Sequence, residues 1–343
     1  MTRQVQGTVE GPATTIRATD QATFAELTER YRPELQVHCY RMLASFEDSE
    51  DLVQETLLRA WRNRDRFEGR STFRAWLYRI ATNACLDFLE RHPRQPRPYQ
   101  GPPMRSASLV TSPPDSIPWL QPYPDVLLDL IAPSDTEPAT AVIERETIEL
   151  AFLAAIQHLP PKQRAVLILR DVLGWSANET AGLLELSVAA VKSALQRARP
   201  TLKRHLPEQR LEWAPSSAPT EAERSLLKRY MDADDLPGLL REDLTLTMPP
   251  NTVWLVGRDP FLAMHAAVTD PASPEYFGEW RSLPTRANRQ PAAGHYVRRP
   301  DDSLFRAQVL DVLRVGADGK IAEITSFVPA LFVAFGLPLT LGR

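Results

Sequence analysis

Apolar positions through most of the first two hundred residues recur at helical spacing. In the stretch EDSEDLVQETLLRAWRNRDRF (47–67), positions 52, 53, 56, 57, 60 and 61 form one wide face. That pattern predicts a helix with Asp51, Gln54, Glu55 and Leu58 pointing away from its packed side. Between 176 and 199 the pattern predicts two helices and a turn. Ser176 followed by Glu179 has capping-box spacing, and Ala181 and Leu184 continue a buried stripe. Ser187 can cap a second helix whose apolar side is Val188, Val191, Leu195 and Ala198. Its opposite side carries Ala190, Lys192, Ser193, Gln196, Arg197 and Arg199. A preceding helix, PKQRAVLILRDVLG, ends at Gly174, a residue suited to a helix C-terminus. Near the C-terminus the period changes to two: RAQVLDVLRV (306–315) and KIAEITSFV (320–328) read as strands around an Ala-Asp-Gly turn.

Proline divides these blocks. Twelve prolines fall in the 46 positions from Pro93 to Pro138, too dense for regular helix or sheet. The predicted order is a short N-terminal segment (1–19), a helical domain (20–92), a proline-rich linker (93–138) and a second helical domain (139–206). A short linker (207–220) and an α+β domain (221–343) with an apolar tail complete the chain. The α+β block opens with an amphipathic helix read over EAERSLLKRYMDADDLPGLLRED, followed by a strand, a helix around DPFLAMHAAV and further strands.

Composition narrows the function classes. At 343 residues and 43% hydrophobic, the chain suits two or three packed globular domains. The first twenty residues lack a signal-peptide core, and no apolar run reaches the length of a membrane span, so no membrane association is expected. Two cysteines, Cys39 and Cys85, are too few for a disulfide framework. Together with six scattered histidines this predicts a reducing cytoplasm, no metal and no cofactor.

Charge is uneven. The formal net charge is -3, yet LELSVAAVKSALQRARPTLKRH (184–205) has five Lys or Arg and no acid after Ser187. A helix-turn-helix with a basic outer face fits a DNA major groove, although basic amphipathic helices also serve as solvated faces or partner-binding surfaces. Upstream, FEGRSTFRAWLYRIATNACLDFLERHPR interleaves Arg70, Arg74, Arg79 and Arg91 with Phe67, Phe73, Trp76 and Tyr78. Cations neutralise phosphates and aromatic faces stack on unpaired bases. Aromatics at this spacing also build cores, and Phe73, Trp76, Leu77 and Ile80 are expected to be mainly structural.

The stretch LPPKQRAVLILRDVLGWSANETAGLLELSVAAVKSALQRAR resembles region 4 of the extracytoplasmic-function sigma factors of bacterial RNA polymerase, and residues 24–92 resemble region 2, in the family's order. The resemblance implies that the helix from Ser187 reads the promoter −35 element, with Ser187, Lys192, Ser193, Gln196, Arg197 and Arg199 at DNA. It implies a −10 surface made of Arg70, Ser71, Thr72, Arg74, Trp76, Arg79, Asn83 and Asp87, the loop 67–72 capturing a flipped base. It further implies that Asp51, Gln54, Glu55 and Leu58 dock on the β′ clamp helices of core polymerase. Glu185 stands at a turn position where the family commonly has glycine, which costs about 1 kcal/mol if left-handed geometry is required. Ala190 and Ala194 stand where many relatives have Thr and Arg.

The C-terminal block resembles the SnoaL-like branch of the NTF2-like α+β cone fold. Tyr230, Asp259, His265, Tyr276, Trp280 and His295 are its candidate pocket groups. A regulatory or ligand-sensing role is expected in preference to catalysis, since fold alone does not license an activity. Two alternatives stand beside the sigma-factor reading: an ordinary transcription regulator with a ligand domain, and a SnoaL-type enzyme fused to a DNA-binding module. Finally, the linker island IPWLQPYPDVLLDL (117–130) and the tail FVPALFVAFGLPLTL (327–341) carry more large apolar groups than solvated segments need. They predict that the α+β domain packs on the linker, through Trp119, Tyr123 and Leu127, and on the helical domains.

Overall fold

The computed structural model describes residues 20–69, 71–98, 115–130, 148–206, 220–251 and 253–342. Contacts divide the chain into two compact units. One holds residues up to Pro93 together with Pro160–Arg199, and the other holds Arg94–Leu159 together with Pro200–Arg343. This differs from the expected division. The block 139–206 is split, and the described part of the linker packs within the second unit.

In chain order the helices are α1 (Gln21–Glu29), α2 (Arg32–Leu43), α3 (Phe46–Arg62), α4 (Phe73–Arg91), α5 (Asp125–Leu128), α6 (Leu150–Gln157) and α7 (Pro161–Leu167). Then come α8 (Ala177–Leu184), α9 (Val188–His205), α10 (Glu221–Met231), α11 (Leu236–Leu239) and α12 (Arg258–Thr269).

The first unit is helical because its starts are capped and its faces are apolar. Asp20, Ser45 and Thr72 each accept a backbone N–H three residues on, closing the first turns of α1, α3 and α4. Helix α2 is buried from Leu35 to Leu43. His38 lies within it, its Nε2 2.9 Å from Thr82 Oγ1. Thr82 already donates its hydroxyl proton to the Tyr78 carbonyl, so the imidazole donates from Nε2. Burial, reinforced by Arg41 and Arg74, pulls the His38 pKa down to about 3, so the ring is neutral. Helix α7 runs on into a π-helical turn, Ile168–Val172, and the segment ends at left-handed Gly174, as its sequence predicts. Arg164 of α7 is only 1% exposed and donates from Nη1 to the Met42 carbonyl at 2.5 Å, placing a cation at the C-terminal end of α2. Tyr78 and Trp175 add a ring contact of 5.4 Å. The two helical modules therefore pack on each other within this unit.

The second unit holds a short antiparallel pair, β1 (Arg97–Pro98) and β2 (Asp115–Ser116), and a larger sheet of β3 (Leu240–Thr247), β4 (Trp254–Val256), β5 (Glu279–Ala287), β6 (Gln290–Arg298), β7 (Phe305–Val315) and β8 (Ile321–Phe327), in the order β4-β3-β8-β7-β6-β5. Only β3 and β8 pair in parallel, as a chain returning across the sheet requires; the other pairs along this path are antiparallel. A final short strand, Thr340–Leu341, pairs with β7. Helices α10 and α12 pack on the sheet, with Leu226, Leu227, Phe261, Leu313 and Ile324 in one buried cluster. The long helix predicted from residue 221 stops at Met231, because Ala233 and Asp235 take left-handed backbone and Pro237-Gly238 follows.

The tail serves its own sheet. Leu331, Phe332, Phe335 and Leu337 are buried, and Phe332 meets Tyr296 edge-on at 5.3 Å. Gly294 sits beneath Phe332 and Leu337, where a Cβ would come within 2.6 Å of the Leu337 side chain.

Candidate nucleic-acid and polymerase interface

The three predicted surfaces of the first unit rest on α3, α4 and α9. On α3 the face opposite the core presents Asp51 and Gln54, both exposed, and Leu58, 50% exposed. Glu55 differs: it is half-buried and holds Arg59 at 2.7 Å, and the same guanidinium grips Asp87 of α4 at 2.7 Å. Arg59 is thus a shared anchor between the expected polymerase-binding and −10 surfaces, and both carboxylates raise its pKa. The four-residue step from Glu55 to Arg59 was a readable signal for half of this network. Its other half crosses between helices.

On α4, Arg79, Asn83 and Asp87 recur every four residues along one stripe; Arg79 and Asp87 are exposed and Asn83 is half-buried. Ser71 is exposed, Thr72 spends its hydroxyl on the helix cap, and Arg70 lies outside the described residues. Arg74 is tied to Glu34 at 2.6 Å and covers the Tyr78 ring. Trp76, named for the −10 surface and also expected to be mainly structural, is a core side chain. It is 5% exposed and packs on Phe67 at 5.2 Å and Phe73 at 5.6 Å, because its helical position faces the core.

In α9 the expected geometry is present. Ser176 and Glu179 form both halves of the capping box of α8. Glu185 closes the turn at φ 54°, so a non-glycine residue occupies the left-handed position. Ser187 accepts the Ala190 N–H at 3.1 Å and starts α9. Val191, Ala194, Leu195 and Ala198 are buried, while Lys192, Gln196, Arg197 and Arg199 are exposed. Ala194 is therefore a packing residue, and its small side chain removes nothing from the outer face. Arg197 donates to Ser193 Oγ at 2.8 Å. Arg199 is held by Asp171 through two bonds of 2.9 Å, a pairing that local spacing did not reveal and that offsets part of its charge.

The second unit organises the linker. The β5–β6 hairpin turns at Asn288 and Arg289, both with positive φ, as a tight two-residue turn requires. Asn288, fully buried, accepts the Tyr123 N–H at 2.8 Å on Oδ1, and its own N–H donates to the Tyr123 carbonyl at 2.9 Å. Its Nδ2 donates to the Ile148 carbonyl at 2.6 Å, and the Leu150 N–H donates to Gln290 Oε1 at 3.2 Å. Buried Asp125 accepts from Arg286 at 3.0 Å and from the Arg289 N–H at 2.8 Å; burial outweighs both and pushes its carboxyl above the usual range. Of the predicted linker contacts, Tyr123 is wholly buried, Trp119 donates to Gln157 Oε1 at 3.3 Å and Leu127 is half-buried. Val126 and Leu130 of the same island are exposed.

Among the pocket candidates, Tyr230, His265, Tyr276, Trp280 and His295 line one cavity. Asp259 does not: it is exposed beside Arg258 near the start of α12. The residue that sequence reasoning missed is Asp311. It lies in the apolar run VLDVL of β7, and a lone carboxylate there was a usable signal. Tyr230 donates to it at 2.8 Å, Ser326 at 2.5 Å, and His295 Nε2 stands 3.2 Å away. Burial favours the neutral acid, but these three partners outweigh it and hold the Asp311 carboxyl below the ordinary range. No group of three His, Cys, Asp or Glu able to hold a metal occurs among the described residues, and no described helix is long and apolar enough to cross a membrane.

Comparison with known proteins agrees with this geometry. The Sigma-70 region 2 family model matches residues 27–95, and that of Sigma-70 region 4 matches 149–202. The ECF RNA polymerase sigma factor SigG of Mycobacterium tuberculosis is 43% identical over 327 residues, covering 92% of this chain and 84% of its own. SigW of Bacillus subtilis, also an ECF RNA polymerase sigma factor, is 29% identical over 191 residues, covering 56% of this chain and 92% of its own. The crystal structure of the Mycobacterium tuberculosis extracytoplasmic function sigma factor SigJ superposes with a TM-score of 0.55 at 22% identity, over 92% of this chain and 99% of that one. This last likeness speaks to the fold, C-terminal extension included.

Proposed function

The chain belongs to the ECF RNA polymerase sigma factors, and from that premise we propose how its surfaces divide the work of promoter-specific initiation. As a sigma factor it binds core RNA polymerase and confers promoter recognition. We assign Asp51, Gln54 and Leu58, with Glu55 positioned through Arg59, to the β′ clamp helices. Arg79, Asn83 and Asp87, with the loop ahead of α4, take the −10 element. The outer face of α9, with Lys192, Ser193, Gln196 and Arg197 foremost, takes the −35 element. Arg199, shared with Asp171, contributes less. The observation that carries this reading is one chain holding both an exposed, partly apolar face on α3 and an acid-free basic face on a capped helix-turn-helix.

The α+β domain acts as a regulator of the sigma modules in the cytoplasm, not as an enzyme. The reading is supported by the hairpin tip at Asn288, which bonds to Tyr123 of the linker ahead of α5 and to Ile148 at the entry to α6. Transcription by purified core polymerase on a genomic promoter library tests the whole assignment. Core-dependent initiation at a shared −10/−35 pattern is expected. Duplex binding that needs no polymerase, with no initiation, would instead favour an ordinary DNA-binding regulator.

A further inference from the structure

Asp87 is an acid on a surface assigned to a polyanion. It ends the stripe Arg79, Asn83, Asp87 on α4, and its side chain is 51% exposed. A bare carboxylate there repels phosphate and weakens binding, so the position is costly unless the charge is offset and the oxygens are used. Arg59 offsets the charge. From the neighbouring helix α3 its Nη1 donates to Asp87 Oδ2 at 2.7 Å, and its Nε donates to Glu55 Oε1 at 2.7 Å. The planar guanidinium is thus held on two edges: Glu55, one turn earlier on α3, fixes the fork, and the fork fixes the Asp87 carboxylate. Both acids raise the pKa of Arg59, so the cation keeps its charge.

One oxygen remains for a ligand. Oδ2 of Asp87 is committed to Arg59, and Oδ1 takes no hydrogen bond among the described residues. An ionised carboxylate has no proton to give, so Oδ1 only accepts. The rest of the stripe lacks this bias: Arg79 only donates, and the Asn83 amide does both. Among pyrimidines the matching donor is the N4 amino group of cytosine. Thymine carries an oxygen, O4, at the same place, and would set lone pair against lone pair. Building on the −10 assignment above, we propose that Asp87 determines specificity at one −10 position, selecting cytosine over thymine through the N4 amino group. Arg59 is the positioning residue that presents the accepting oxygen.

The test is transcription by core polymerase with the full chain on promoters randomised across the −10 element, read as the relative output from each base. At one position the wild type should favour cytosine over thymine by at least about fivefold, the scale of one hydrogen bond to a charged group. Asp87→Ala should level that preference, and Asp87→Asn, whose amide can turn a donor outward, should admit thymine. Arg59→Ala should shrink the same preference at least about threefold and leave those at other −10 positions in place. Loss of helix packing alone would instead lower output from all promoters alike. On a synthetic promoter, replacing dC by dU at that position exchanges the amino group for an oxygen. The exchange should cost the wild type about fivefold and Asp87→Ala nothing. If Arg79→Ala and Asn83→Ala shift −10 preferences while Asp87→Ala and Arg59→Ala do not, the proposal is overturned and the −10 surface stands. If all four leave −10 preferences unmoved, the surface falls and the proposal with it. A preference altered by Asp87→Ala but not by Arg59→Ala would overturn the positioning role.

Discussion

A buried neutral histidine makes one residue of the first unit responsive to acid. His38 keeps its proton off down to about pH 3 in the folded chain, against an ordinary value of 6.5. Because the folded pKa is the lower one, its stabilisation is complete above pH 6.5 and is lost as pH falls towards 3. We predict that unfolding at pH 5 costs about 2 kcal/mol less than at pH 8 on this account. In urea melts at the two values, His38→Gln should remove most of that difference. An unchanged difference would mean that other groups carry the acid sensitivity. The same scale shows why Trp76 admitted two readings, a −10 side chain and a core one. Its type and neighbours suited base stacking, whereas its burial follows from the positions of Phe67 and Phe73 around it.

At the scale of elements, sequence reading succeeded where the signal was local. The capping box of α8, the Ser187 start of α9, the end at Gly174 and the two strands around the Ala-Asp-Gly turn all follow from spacing within a few residues. It failed where partners come from distant segments: Arg59 to Asp87, Arg199 to Asp171, and Asp311 to Tyr230 are pairings between elements that periodicity does not encode. Two predictions belong here. Alanine at Asp51, Gln54, Glu55 and Leu58 together should abolish core-polymerase capture. Because these side chains stand outside the core of α3, thermal stability should fall little, the loss of the Glu55–Arg59 pair costing under about 1 kcal/mol. Capture retained by the folded variant would reject that face. Arg197→Ala and Asn83→Ala should fail at different steps. The first should weaken duplex binding and lower the salt slope by about one. The second should leave −35 binding intact and reduce permanganate reactivity of −10 thymines. A shared, binding-only defect would refute the division of labour between α9 and α4.

At the scale of the whole molecule, we predict that promoter binding separates the two helical modules. The two promoter elements lie about 25 base pairs apart, roughly 85 Å along B-form DNA. Yet Arg164 joins the helix-turn-helix module directly to the carboxyl end of α2. We therefore predict that Arg164→Ala favours the separated state. Labels at Glu90→Cys and Ala189→Cys, with the native thiols Cys39 and Cys85 buried and shielded, should report a longer mean distance by energy transfer. Apparent polymerase affinity should rise, since less of the population must open first. Unchanged distances in a folded variant would mean that this arginine does not hold the modules together. Within the second unit Asn288 holds the linker at Tyr123, and Asn288→Gly keeps the left-handed turn and the backbone bond to the Tyr123 carbonyl while deleting the side-chain bonds to Tyr123 and Ile148. Hydrogen exchange should then accelerate at 123–125 and 148–150, and unchanged protection there would relieve Asn288 of that role. The clasp also has a timetable. Tyr123 and Asn288 are 165 residues apart, so at about 5–20 residues per second the ribosome needs roughly 10–30 s between making the two. In the later part of that interval, once residue 206 is made, a nascent chain has both promoter-reading modules synthesised and Asn288 is not yet there to bond Tyr123. On the proposed regulatory role, we predict that a newborn chain is for those seconds unrestrained at this segment, and that truncation before residue 288 makes that state permanent.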